Sequence, residues 1–170
     1  MDILKTQSVV LSEPIVQHDR VFSPGDVDNH SSERKDASWL RIRAETKNDK
    51  TKHIFTLKKS VTTSLDNVEH ETEVLDEREL ERIIHHLGFT PFSDITKTRQ
   101  KAMVGDIEIC VDAVDGLGDF IEAESLTGED VDYEAVVAKL WMILERFGVS
   151  REDNVTDGYD VLMNKHRADK

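Results

Sequence analysis

The sequence predicts an α+β domain, an antiparallel β-barrel with helices packed on its outside. Three observations carry that expectation. Short segments rich in β-branched and aromatic residues follow one another between polar or glycine breaks, as consecutive strands do. Two further segments repeat apolar residues at helical spacing, the mark of amphipathic helices. Inside several of the strand segments, charged residues recur at every second position. Alternation of that kind gives a strand one polar and one apolar face.

The strand segments are Ile15–Phe22, Trp39–Ala44, His53–Lys59, Val68–Leu75, Asp94–Val104, Ile107–Ala113 and Phe120–Ser125. Gly105-Asp106 reads as the tight turn of a hairpin. In the first helix Asp76 is placed to cap, with Glu79 three residues on as a capping box requires. Leu80, Ile83, Ile84 and Leu87 follow as an apolar stripe, and Gly88 ends it. The second helix runs from Tyr133 to Phe147 with Val136, Val137, Leu140, Trp141, Ile143 and Leu144, and Gly148 behind it. Both stripes face a core. Residues 23–37 and Ser60–Asn67 are polar, without a hydrophobic period, and read as loops. A single domain over 1–170 is expected, with its strands in about 15–125 and a C-terminal helical part over about 131–170.

A chain of 170 residues suits one domain with a real core. Hydrophobic residues make up 38% and charged residues 34%, a balance that suits many solvated strand faces. No apolar run approaches the ~18 residues of a membrane span. The opening Met1-Asp2-Ile3-Leu4-Lys5 has no signal-peptide core. The lone cysteine, Cys110, cannot form an internal disulfide, which suits a reducing, cytoplasmic setting. The net charge of −13 argues against a broad nucleic-acid surface. It leaves room for a small polyanion in a recessed basic site.

The charge alternation says where such a site would lie. Arg41 and Arg43 alternate with Leu40 and Ile42, and Lys97 and Arg99 share the same spacing. Lys58 shares a face with Thr56, opposite Phe55 and Leu57. Glu69, Glu71 and Glu73 fall on one face, as do Glu122 and Glu124 between Ile121 and Ala123. Asp112 shares a face with Glu108 and Cys110, opposite Ile107, Ile109 and Val111. On an open sheet these faces meet water; on a closed one they line a lumen. Arginine and lysine there would bind phosphoryl oxygens. The carboxylates would hold Mg²⁺ or Mn²⁺, hard ions that bridge phosphates. Together they could hold a triphosphate in line for displacement at phosphorus.

These motifs resemble the CYTH superfamily of triphosphate-tunnel domains, which includes class IV adenylyl cyclases, thiamine triphosphatases and inorganic triphosphatases. The resemblance runs from about Val16 to the C-terminal helix. Gln17-His18-Asp19-Arg20-Val21-Phe22 is similar to the family's Gln-x-Asp-x-Tyr-Phe strand. Leu40-Arg41-Ile42-Arg43 and Thr56-Leu57-Lys58 resemble its Leu-Arg-x-Arg and Thr-x-Lys strands. Gly88-Phe89, Lys97-Thr98-Arg99, Asp112 through Gly118 and Phe120-Ile121-Glu122-Ala123-Glu124 follow in family order.

The resemblance implies a triphosphate gripped by Arg41, Arg43, Lys58, Lys97 and Arg99, with Lys97, Arg99 and Lys58 as the catalytic cations. It implies Glu122, Glu124 and Asp112 as ligands of Mg²⁺ or Mn²⁺. The spelling is most similar to the class IV adenylyl cyclase branch, which turns ATP into cyclic AMP and pyrophosphate. The same tunnel with water attacking the γ-phosphorus gives a triphosphatase. No nucleic-acid or membrane partner is implied, and a homodimer is left open.

Two departures stand out. The family's N-terminal Glu-x-Glu-x-Lys strand does not precede Ile15, and Glu69 stands where relatives often carry an arginine. A missing strand predicts a gap in the wall beside Ile15–Phe22 or a strand borrowed from elsewhere, together with weak metal binding and little turnover. It makes a non-catalytic triphosphate-binding module a third reading. His85-His86 point in different directions on a helix without a third ligand, so no metal role is assigned to them. Cys110 is read as packing, and Glu129–Glu134 as a solvated helix start.

Overall fold

The computed structural model describes residues 9–25, 38–61, 66–128 and 131–168. The expected loops over 23–37 and Ser60–Asn67 lie largely outside the described residues, as do the first eight positions and the start of the acidic stretch at 129–130. The strands are β1 (Ile15–Pro24), β2 (Ser38–Lys47), β3 (Lys50–Ser60), β4 (Asn67–Val74), β5 (Phe89–Val104), β6 (Ile107–Val114) and β7 (Gly118–Glu124). The helices are α1 (Glu77–His86), α2 (Tyr133–Arg146) and α3 (Tyr159–Ala168). The fold is α+β. No helix among the described residues is long and apolar enough to cross a membrane.

The strands form one sheet in the order β4-β3-β2-β1-β5-β6-β7, and β1 through β4 pair antiparallel. Strand β1 therefore has a neighbour on each side. Of the two outcomes expected beside Ile15–Phe22, a gap or a strand taken from elsewhere, there is no gap, because β5 lies beside β1; among the described residues the order ends on β4 and β7. The chain divides into two compact units. The larger holds Ile15–Lys97, Val114–Gly118 and Val155–Lys170; the smaller holds Met1–Pro14, Thr98–Ala113 and Asp119–Asn154.

In the larger unit β2 turns into β3 through Asn48 (φ 49°) and Asp49 (φ 60°), between the paired Lys47 and Lys50. Two left-handed residues make the tight hairpin turn whose twist matches the strands. Strand β3 accordingly starts before the expected His53. At α1 the Asp76 carboxylate accepts from the Arg78 and Glu79 amides, as predicted. The Glu79 side chain instead pairs with Arg82 at 2.8 Å. Gly88 ends the helix at φ 86°, and β5 begins at once at Phe89, ahead of the expected Asp94.

The apolar face of this part of the sheet packs Phe22, Leu40, Ile42, Phe55 and Leu57 against Leu80 and Ile84 of α1, with Phe89. Burying Ile84 fully contributes about 1.5–3 kcal/mol. Ile83 and Leu87 are exposed, so the buried stripe of α1 is narrower than the spacing suggested. Helix α3 was expected only as part of a helical C-terminal region. It buries Val161 and Met163, and Asn164 Nδ2 donates to the Phe92 carbonyl at 3.0 Å.

The smaller unit has its own core. Ile107, Ile109 and Phe147 are buried, with Val9, Leu11, Val104, Val111, Ile121, Ala123, Leu140 and Ile143 around them. The Asp132 carboxylate caps α2 by accepting from the Glu134 and Ala135 amides. No residue of α2 is fully buried; its apolar stripe is partly buried, and Phe147, just beyond its end, is buried in the core.

Candidate functional site

The polar face of the larger unit is set by register. Asp19 of β1 pairs with Arg43 of β2, and Val21 with Arg41. Arg41 pairs with Thr56 of β3; Thr56 then pairs with Glu71 of β4, and Lys58 with Glu69. Directly opposed residues point to the same side of a sheet. One face therefore carries Asp19, Arg41, Arg43, Thr56, Lys58, Glu69 and Glu71, while the other buries Phe22, Leu40 and Ile42 against α1.

The cations on this face are held by acceptors. Arg43 donates to both Asp19 oxygens at 2.7 Å from Nε and Nη2, a bidentate pair that is largely buried. Burial alone would raise the Asp19 pKa, but Arg43, with Arg41 and Lys97 behind it, holds it below the ordinary value. Arg41 Nη2 donates to Glu71 at 3.0 Å and Thr56 at 3.1 Å. Lys58 Nζ lies 2.9 Å from Glu69. Against its burial, Lys58 and the two arginines keep Glu69 low as well. Lys97 is 4% exposed and its Nζ sits 4.8 Å from the centre of the Tyr159 ring, a cation–π contact. The buried Nε of Arg41 has no acceptor among the described residues.

The smaller unit brings together Arg99, Asp112, Glu122 and Glu124. Arg99 is 6% exposed and donates to the two Asp112 oxygens at 2.7 and 2.6 Å. It also meets Glu122 and, at 3.5 Å, Glu124. Burial opposes the charge on Arg99, but Asp112 and Glu122 push its pKa upward. Both Asp112 oxygens are thus occupied by a guanidinium. Glu124 is pushed up by burial and by the neighbouring Glu122 and Glu108, against the pull of Arg99. Lys101 pairs with Glu108 at 2.8 Å. Burial pushes the Cys110 thiol up to about 12.

The donors of this unit can be tested against a divalent ion. Glu122 and Glu124 are adjacent carboxylates with side chains 33% and 51% exposed. A carboxylate pushed up by burial and by a neighbouring carboxylate, as Glu124 is, gains from a hard cation, and oxygen donors suit Mg²⁺ and Mn²⁺. Glu108, Cys110 and Glu124 place donor atoms within 4.8 Å of one another. A soft thiol that stays protonated at neutral pH does not suit those ions. The fit is through Glu122 and Glu124.

The sequence reading missed Asp19, Thr56 and Glu71 as partners of the cations. Asp19 had a signal: it lies in the same strand phase as Gln17 and Val21 within an otherwise half-apolar segment. Its partner could not be read without the register.

The fold is an α+β protein whose sheet carries, on its polar face, arginines and lysines held by carboxylates. The CYTH domain profile matches residues 8–159, and the chain belongs to the CYTH domain family. A Methanocaldococcus jannaschii protein named "Putative adenylate cyclase" is 29% identical over 91 residues, 54% of this chain and 52% of that protein. The chain thus spans about half the length of that curated relative. Among solved structures, the PH1819 protein of Pyrococcus horikoshii OT3 superposes with a TM-score of 0.80 at 26% identity, covering 96% of this chain and 93% of that one. A Hippeastrum protein, described as a "putative adenylyl cyclase" that "reveals a dominant" triphosphatase activity, gives a TM-score of 0.60 at 18% identity over 96% and 87%. At that identity it shows the fold alone.

Proposed function

We propose that this chain binds a nucleoside triphosphate with a divalent metal and converts ATP to cyclic AMP and pyrophosphate. The supporting observation is the polar face of β1–β3, where Arg41, Arg43 and Thr56 line up and the buried Arg41 Nε has no acceptor among the described residues. A phosphoryl oxygen would supply that acceptor. Arg41, Arg43, Lys58, Lys97 and Arg99 are assigned to the phosphates, with Lys97, Arg99 and Lys58 as the catalytic cations. Glu122 and Glu124 would hold Mg²⁺ or Mn²⁺, which supplies charge neutralisation when bound. Asp112 was also expected as a metal ligand; the bidentate contact with Arg99 favours a role in fixing that guanidinium. In the cyclisation the ribose 3′-oxygen bonds to the α-phosphorus, pyrophosphate leaves, and the hydroxyl proton passes to solvent.

Hydrolysis at the γ-phosphorus is the second reading, favoured by the activity described for the Hippeastrum protein of the same fold. Incubating the protein with ATP and Mn²⁺ and measuring cyclic AMP against free phosphate separates the two. Cyclic AMP is the expected product; phosphate alone would establish the triphosphatase. Loss of either product is expected in Lys97→Ala. Binding of tripolyphosphate without turnover would mark a binding module. No response to ATP or tripolyphosphate with either metal would sink the triphosphate reading.

A further inference from the structure

We propose that Tyr159 gates Lys97, its ring and a phosphoryl group competing for the same buried ammonium. This rests on the triphosphate reading above and adds to it how access to that cation is controlled.

Lys97 and Tyr159 both belong to the larger unit. The charge of Lys97 helps to hold the Asp19 carboxylate ionised, so its ammonium lies near the Asp19–Arg43 pair on the polar face. The residue is nevertheless only 4% exposed. A phosphoryl oxygen bonds an ammonium at about 2.7–2.9 Å, and a cation covered to that degree cannot be approached so closely from solvent. For Lys97 to take a phosphate, part of its cover has to move. The Tyr159 ring stands over its Nζ, 4.8 Å from nitrogen to ring centre.

That ring is placed where it can leave. Tyr159 is only partly buried and is the first residue of α3, behind the exposed Val155, Thr156 and Gly158. The body of the helix is fixed further along. Val161 and Met163 are buried, Asn164 Nδ2 donates to the Phe92 carbonyl at 3.0 Å, and Arg167 Nη2 donates to the Asp94 carbonyl at 3.1 Å. A change of rotamer at Tyr159 moves the ring and leaves the anchored helix where it is. The exchange also runs in a favourable direction. A ring attracts a cation through its quadrupole, whereas a phosphoryl oxygen brings a full charge and a charge-assisted hydrogen bond. With the ring in place the buried ammonium keeps some compensation for its lost hydration; a polyphosphate supplies more.

The test reads the lysine and the ligand separately. Acetylation of Lys97 by acetic anhydride, followed by peptide mass spectrometry, should be slow in the wild-type protein and several times faster in Tyr159→Ala. Tyr159→Phe, which keeps the ring, should restore the slow rate. In calorimetric titrations with tripolyphosphate and Mg²⁺, Tyr159→Ala should bind roughly five- to thirtyfold more tightly than wild type, the span of a desolvated cation–π contact. Tyr159→Phe should return the affinity to within about twofold of wild type, since a phenyl ring offers the same face. In the wild-type protein, saturating tripolyphosphate should speed nitration of Tyr159 by tetranitromethane, a readout that needs no variant to fold. Unchanged acetylation of Lys97 in Tyr159→Ala would overturn the proposal, because another group would then be the cover. Equal or weaker tripolyphosphate binding by that variant would overturn it too, since the ring would then be holding Lys97 in place for the ligand. Nitration that tripolyphosphate slows or leaves unchanged would do the same. Any of these results in a protein that binds tripolyphosphate sinks the gate alone; no binding by wild type or either variant sinks the triphosphate reading and the gate together.

Discussion

The Asp19–Arg43 pair shows how a single carboxylate can hold a binding residue in place. Both partners are about nine-tenths buried, so removing one charge strands the other in a poor solvent. Asp19→Asn should cost about 3–5 kcal/mol of stability, read as a lower midpoint in urea. The sign of the pH dependence follows from the depressed pKa of Asp19. Its contribution is complete above the ordinary value of 3.8 and is lost as pH falls through the lower folded value. Acid unfolding of the wild type should therefore begin below about pH 4, while Asp19→Asn lacks that component. Cys110 carries the opposite lesson. The thiol is 0% exposed and pushed up to about 12 by burial, so it has almost no thiolate at pH 8. Iodoacetamide should label it only after unfolding; rapid labelling of the native protein would contradict the packing role expected from the sequence.

At the scale of the strands, what the sequence made legible was phase. Charges at every second position placed Arg41 with Arg43 and Glu69 with Glu71 on shared faces, because side chains alternate along a strand. Which strand lies beside which was not legible, since pairing joins residues far apart in sequence. The sequence could therefore not show that Glu69 and Glu71 of β4 lie on Lys58 and Arg41 of β3 and β2, nor that β5 fills the place beside β1. The hairpin at Asn48-Asp49 was missed because it lacks the glycine that usually marks such a turn. The β4 contacts have a consequence. A triphosphate must compete with these carboxylates for the same cations, and like charges nearby disfavour it. Glu69→Gln and Glu71→Gln should each tighten tripolyphosphate binding, by roughly two- to fivefold, because the pairs are partly solvated and worth no more than about 1 kcal/mol. Weaker binding in either variant would mean that the glutamates position the cations rather than compete for them.

For the whole molecule the relevant quantity is charge. A protein with a net charge of −13 is expected to bind a ligand that is itself strongly negative. The local cations are recessed and carboxylate-held, so from a distance the ligand meets mainly the acidic surface. Long-range fields govern the rate of encounter more than the final affinity. Encounter between like-signed partners is slowed at low salt and recovers as the Debye length shrinks from about 30 Å at 0.01 M to about 8 Å at 0.15 M. Buried contacts such as Lys97 are screened far less. The association rate of a fluorescent ATP analogue with Mg²⁺ should therefore rise with ionic strength over that range, as measured by stopped flow. Proteins that collect phosphates on a basic surface behave oppositely, losing both rate and affinity as salt is added. A steep fall of the association rate with salt would show that a basic funnel guides the ligand, and that the recessed cations are not screened from the solvent by their carboxylate partners.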